Sequence, residues 1–93
     1  MGITFEWDFY KARDNFRKHG ISFEEASTVF SDSLSLAIPD PLHSYSEDRF
    51  VIMGQSIRGR LLAVVHTERE ENIRIISARK ATSHERNTYE KKR

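Results

Sequence analysis

The chain has 93 residues, 38% of them hydrophobic and 31% charged, so it holds one small domain over residues 1–93 with no room for a second core. Zero cysteine excludes a disulfide scaffold, thiolate zinc sites, Fe–S clusters and a cysteine nucleophile, and suits a reducing cytoplasm. No apolar run reaches transmembrane length, and the first residues lack the pattern of a signal peptide.

The net charge of +1 hides an asymmetry. Residues 1–48 carry four basic and nine acidic side chains, a net of −5, whereas residues 49–93 carry eleven basic and five acidic ones, a net of +6. Such a split fits a nucleic-acid surface or an oppositely charged protein partner. Two solvated charge faces fit it as well.

Ile3, Phe5 and Trp7 alternate with polar residues and predict a short strand. Asp8 offers an N-cap, Phe9, Ala12 and Phe16 follow at helical spacing, and Gly20 ends the pattern, so a helix is expected over residues 9–19. Ser22-Phe23-Glu24-Glu25 reads as a capping box that opens a second helix to about residue 30. With Gly20 closing one helix and Ser22 opening the next, the corner at Lys18–Gly20 is assigned to the fold.

Leu34, Leu36 and Ile38 predict a strand that Pro39 and Pro41 stop, and residues 39–48 form the longest loop. Strands are expected over 49–57, 60–68 and 73–79, joined by a two-residue turn at Arg58-Gly59 and a turn at 69–72. Thr82-Ser83-His84-Glu85 is a second capping box, opening a helix to about residue 91. The order β-α-α-β-β-β-β-α, with consecutive hairpins, predicts an α+β domain: a small antiparallel sheet flanked by three helices.

The two-residue turn sets a register of Ile57 opposite Arg60, Gln55 opposite Leu62, Met53 opposite Val64 and Val51 opposite His66. Across the next hairpin, His66 faces Ile75 and Leu62 faces Arg79. One face then reads Phe50, Ile52, Gly54, Leu61, Ala63, Val65, Ile76 and Ala78, an apolar seat for the first two helices. The other gathers Arg60, Arg79, His66 and Gln55 around an apolar centre that includes Val51, Met53 and Leu62. A histidine flanked by arginines on a sheet face fits phosphate binding and proton transfer. A half-buried structural histidine with arginines rimming the sheet is the other reading, and the lack of a clear acid partner for His66 favours it. Glu68 is the only near carboxylate for His66. Arg86 and Tyr89, three apart on the last helix, either point together at a ligand or serve separately as a solvated charge and an anchor. Arg79 and Lys80 precede that helix, where its dipole favours an anion. His19, His43, His66 and His84 lack metal-ligand spacing, and no glycine-rich loop fits a phosphate cradle.

Three blocks carry a resemblance that spans nearly the whole chain: FEWDFYKARDNFRKHGISFEEASTVF at 5–30, RGRLLAVVHTERE at 58–70 and IRIISARKATSHERNTYE at 73–90. With the Asp-Pro loop between them, the sequence resembles the BrnT toxins of bacterial type II toxin–antitoxin systems. The resemblance implies a RelE-like fold, a cytoplasmic endoribonuclease that stops translation, and a cognate DNA-binding antitoxin, BrnA-like, that neutralises it. DNA is then contacted only through the antitoxin complex, and the ribosome is a further possible partner. Catalytic residues differ among RelE-like enzymes, so fold alone transfers no site.

For RNA cut without a metal or other cofactor, the attacking group is the substrate's own 2′-hydroxyl, and the enzyme aligns the backbone, stabilises the phosphorane and moves two protons. The expected catalytic set is His66 for proton transfer, Arg79 and Arg60 as phosphate clamps, and Tyr89. Lys80, Arg86 and Arg58 are expected to bind RNA. Val51, Met53 and Leu62 are expected to be exposed and covered by an antitoxin segment. A non-catalytic nucleic-acid-binding or partner-binding module is the alternative.

Overall fold

The computed structural model describes residues 2–40 and 48–91, and the expected loop at 39–48 falls largely on residues 41–47, outside them. Strand β1 (Thr4–Glu6) leads into α1 (Phe9–His19), then α2 (Phe23–Ser27) and a 3-10 turn (Thr28–Ser31). There follow β2 (Leu36–Pro39), β3 (Arg49–Gln55), β4 (Leu61–Arg69), β5 (Asn72–Lys80) and α3 (Ser83–Lys91). The expected α+β class and element order hold. No helix among the described residues is long and apolar enough to cross a membrane.

Local chemistry sets the helix ends. The Asp8 carboxylate accepts the N–H groups of Tyr10 (2.8 Å) and Lys11 (3.0 Å), and Gly20 takes the left-handed conformation at φ 73° to close α1. Ser22 caps α2, but Glu25 does not reach back to complete the box; it turns inward to Ser56 and Arg60. The box at α3 is complete: Thr82 Oγ1 accepts the Glu85 N–H at 3.1 Å, and Glu85 Oε1 accepts the Thr82 N–H at 2.9 Å.

The five strands run in the order β1-β5-β4-β3-β2. The sheet is mixed, not antiparallel throughout, because β1 lies parallel to β5, with Phe5 opposite Ile73. The α1–α2 excursion carries the chain away after β1, so the first strand seats beside the last instead of hairpinning with its successor.

Two one-residue events decide which side chain faces where. The β3–β4 turn is longer than expected: Ser56 N–H donates to the Arg60 carbonyl and Gly59 N–H to the Ser56 carbonyl, each at 2.8 Å. Residues 57–59 form the loop, with Gly59 at φ 79° supplying the left-handed position. The pairing becomes Gln55 with Leu61, Met53 with Ala63, Val51 with Val65 and Phe50 with His66, one residue off the expected register. Such a slip moves every β4 side chain to the opposite face relative to β3.

The second event is in β5. Glu68 pairs with Ile73 and His66 with Ile75, as expected, but Ile76 has no β4 partner, and beyond it Val65 pairs with Ser77, Val64 with Ala78 and Ala63 with Arg79. This bulge lets Ile75 and Ala78, three apart, both enter the core.

The main core therefore lies between α1–α2 and a face built from Ile52, Leu62, Val64, Ile75 and Ala78, joined by Ile21, Phe23, Ala26 and Val29. Leu61, Ala63, Val65 and Ile76, expected on that face, turn away from it with the changed register. A smaller cluster of Val51, Met53 and Ala63, with Leu36 and Val65, forms the opposite face. Asn15, the one buried residue of α1, locks the layers together. Its Nδ2 donates to the carbonyls of Ala78 (2.9 Å) and Ile21 (3.0 Å), and its Oδ1 accepts the Ala78 N–H at 3.0 Å. The amide thus makes with Ala78 the two bonds a neighbouring strand would make, just past the point where β1 ends. Asn15→Leu strands these buried groups and is expected to lower stability by about 2–4 kcal/mol in urea denaturation; a change under about 1 kcal/mol would contradict this role.

Candidate functional site

The expected pairing of His66 with Arg79 does not form, because the two side chains lie on opposite faces of the sheet. His66, 3% exposed, points into the main core. Its ring meets Phe30 edge-on at 4.9 Å and lies 5.8 Å from Phe50. Burial pushes its pKa below the ordinary 6.5, against weaker opposing effects of the Val64 carbonyl and Glu68. A neutral imidazole in an aromatic cage is a packing element.

Arg79 emerges on the other face, where the bulge at Ile76 directs it. Its Nη1 and Nη2 bond Glu85 Oε1 and Oε2 at 2.7 and 2.9 Å, a two-pronged pair that ties β5 to the first turn of α3. The guanidinium, the Thr82 N–H and the Thr82 hydroxyl pull the Glu85 carboxyl down to about 2, with burial opposing. Two adjoining depressions, of about 400 and about 320 Å³, share Asp40, Val51 and Arg79. The first adds Leu36, Ile38, His84, Glu85 and Thr88, and the second adds Arg49, Val65, Ile76 and Ser77. Together they make an open groove with an apolar floor, two arginines, two carboxylates, a serine and an imidazole on its walls. Such a set can hold an anionic backbone and move a proton at one point along it.

The other expected site residues separate. Arg60 Nε donates to Glu25 Oε2 at 2.9 Å, Nη2 bonds Glu25 Oε1, and Ser56 Oγ donates to the same carboxylate at 2.7 Å. Glu25 is held below the ordinary carboxylate range, chiefly by Arg60, so this pair acts as a charged clasp between α2 and the hairpin. Arg60 nevertheless lines a basic hollow of about 310 Å³ with Lys80 and Arg86, and Arg58 stands on the same hairpin, 3.9 Å from Glu25. Three of the expected cations, Arg60, Lys80 and Arg86, thus converge at one corner beside the start of α3, while Arg58 leans toward Glu25.

Tyr89 is buried, and its hydroxyl donates to Asp32 Oδ2 at 2.6 Å, which anchors α3 to the end of the 3-10 turn. Val51, Met53 and Leu62 are not the exposed patch expected of them. Leu62 is fully buried in the main core after the register shift, while Val51 and Met53, 8% and 3% exposed, floor the groove. Sequence reasoning passed over His84 as one of four dispersed histidines and saw Glu85 only as a cap. The available signal was the capping box itself, which places Glu85 and its neighbour His84 within reach of Arg79. His43 lies outside the described residues, and His19 is exposed on α1. Among the described residues, no three His, Cys, Asp or Glu side chains gather as a metal site.

Residues 7–85 match the family described as the ribonuclease toxin, BrnT, of type II toxin-antitoxin systems. The crystal structure of the Brucella abortus ribonuclease toxin, BrnT, is similar in fold, with a TM-score of 0.65 and 24% identity over 88% of this chain and 100% of that one. No curated protein sequence matches the chain.

The burial of His66 sets a pH signature. The folded imidazole binds a proton less readily than the unfolded one, so stability falls as pH drops below 6.5. The Glu85 carboxyl is shifted in the same direction but in a lower range: its contribution is present above 4.5 and lost as pH falls toward about 2. Urea denaturation between pH 5 and 7 is expected to show a slope of up to about 1.4 kcal/mol per pH unit. His66→Phe is expected to flatten that slope; an unchanged slope in the variant would show that another group titrates.

Proposed function

The chain belongs to the BrnT family of type II toxin ribonucleases, and on that premise we propose that it is a RelE-like endoribonuclease that binds RNA across the α3 face of its sheet. The observation that carries this placement is the bulge at Ile76, which brings Arg79 and Ser77 onto the same open face as His84 and Glu85. The core face is closed by α1 and α2; the α3 face is open and lined with charge.

In the proposed reaction the RNA 2′-oxygen loses its proton and attacks the adjacent phosphorus. The bond from phosphorus to the 5′-oxygen breaks, and that oxygen takes a proton, leaving a 2′,3′-cyclic phosphate and a 5′-hydroxyl. Arg79 holds the phosphate through the N–H donors that Glu85 does not occupy, and Glu85 fixes the guanidinium plane. The His84 imidazole is the proton carrier of the groove. Lys80, Arg86, Arg58 and Arg60 receive a flanking phosphate at the basic corner. His66 and Tyr89 support the fold and do not touch the substrate. No metal is needed for these steps. The chain acts in the cytoplasm, halts translation by destroying RNA, and is neutralised by a DNA-binding antitoxin of BrnA type.

Purified protein incubated with labelled RNA in EDTA tests these assignments. The parent is expected to cleave, His84→Ala and Arg79→Ala to lose at least about 100-fold in rate, and His66→Phe to stay within a few-fold. Full activity of His84→Ala would remove that residue from the reaction, and intact RNA with the parent, repeated with translating ribosomes, would separate ribosome-dependent cleavage from a non-catalytic module.

A further inference from the structure

The strongest feature outside the groove lies on the far side of the molecule. Helix α1 leaves Phe9 and Phe16 exposed at 70% and 55%. These two, seven residues apart, and Ala12 between them follow one stripe along the helix. The stripe forms one wall of a hollow of about 350 Å³ toward α2, floored by Trp7 and Phe23. Large aromatics left in water on a short helix mark a contact surface. Nothing in the core needs them: the inward face of α1 is spent on Asn15 and Ala12.

Charge identifies the occupant. All four basic side chains of residues 1–48 (Lys11, Arg13, Arg17 and Lys18) sit on this helix, against Asp14 as the one acid within it. Arg13 lines the hollow, stacks over the Tyr10 ring at 5.3 Å and is followed one turn later by Arg17. The opposite rim carries Glu24. A second copy of the chain would bring Arg13 against its own counterpart in an antiparallel helix pair, which disfavours self-association. RNA would meet the Glu24 rim and a concave apolar floor without a polar partner for its bases. An amphipathic helix fits both features, with apolar side chains seated between Phe9 and Phe16, an acidic flank along Arg13 and Arg17 and a basic position beside Glu24.

We propose that the α1 stripe is an anchor for an acidic amphipathic segment of the antitoxin, on the face opposite the RNA groove. The proposal rests on the toxin reading above for the identity of the partner. A segment held there leaves the groove uncovered, so the anchor supplies affinity and a separate part of the antitoxin blocks RNA.

The test is a calorimetric titration of the purified toxin with the antitoxin encoded beside it, together with the RNA cleavage assay. Phe9→Ser/Phe16→Ser and, separately, Arg13→Glu/Arg17→Glu are expected to weaken antitoxin binding at least tenfold. Cleavage of RNA by the free toxin stays unchanged, since none of these residues lines the groove, and thermal melting confirms that the exposed substitutions leave the fold intact. Unchanged antitoxin affinity in both variants, or no binding by the parent, would overturn the anchor. Loss of RNA binding or cleavage with antitoxin affinity retained would assign the stripe to RNA and overturn it too. A parent that cleaves no RNA either alone or with translating ribosomes, yet binds the antitoxin through the stripe, would refute the nuclease assignment while upholding the anchor.

Discussion

Strand register is the constraint on which the rest of this small protein depends. A side chain in a sheet has only two faces to choose from, so each inserted residue reverses everything beyond it. Gly59 admits one insertion, because its left-handed backbone lets the β3–β4 loop hold three residues and keep both closing hydrogen bonds. Ile76 makes the other, as a bulge. The first sends Leu62, Val64 and His66 to the core beside Ile52. The second allows Ile75 and Ala78 to share that core while Ser77 and Arg79 face away from it. Without the bulge, alternation would carry Arg79 to the face that holds Ile75 and His66, under α1 and α2, where an arginine has no solvent and no partner.

The uneven charge of the sequence resolves in the same frame. Two acids of the first half pair with bases of the second: Glu25 with Arg60, and Glu6 with Arg74 at 3.0 Å. The strands and helices thus hold one another partly through charges far apart in the chain. Arg79 pairs within its own half, since its partner Glu85 is six residues away and belongs to α3. That pair both seats the helix and preorganises a guanidinium at the mouth of the groove, while Tyr89, bonded to Asp32, fixes the helix further along. The basic corner of Lys80 and Arg86 extends the positive ground beyond the first turn of α3.

Much of this was legible in the sequence. Apolar periodicity, Asp8, Gly20 and the two Ser/Thr-x-x-Glu patterns located all three helices, because capping chemistry is local. The strands were found by alternation, to within a few residues at their ends. What local reasoning does not contain is the sheet's mixed character, since β1 finds β5 only after the whole chain has folded back. It does not contain the bulge either, nor Asn15, whose partners at Ala78 lie across the structure. The one-residue misjudgement of the hairpin misplaced His66 and Leu62 together, while the bulge returns Arg79 to the face of Val51 and Met53 on which it was expected. Arg60, expected beside Arg79 as a phosphate clamp, instead lines a hollow with Lys80 and Arg86, two of the cations expected to bind RNA.

The direct test of where RNA lies is methyl and imidazole NMR of the protein with an RNA whose 2′-hydroxyls are methylated, so that it binds without a nucleophile. Binding across the α3 face predicts shifts at Ile38, Val51, Val65, Ile76 and the His84 ring, with Ile21, Val29 and the His66 ring unmoved. Shifts centred on His66 and its Phe30–Phe50 cage, or on the α1 side with Val65 and Ile76 silent, would contradict it.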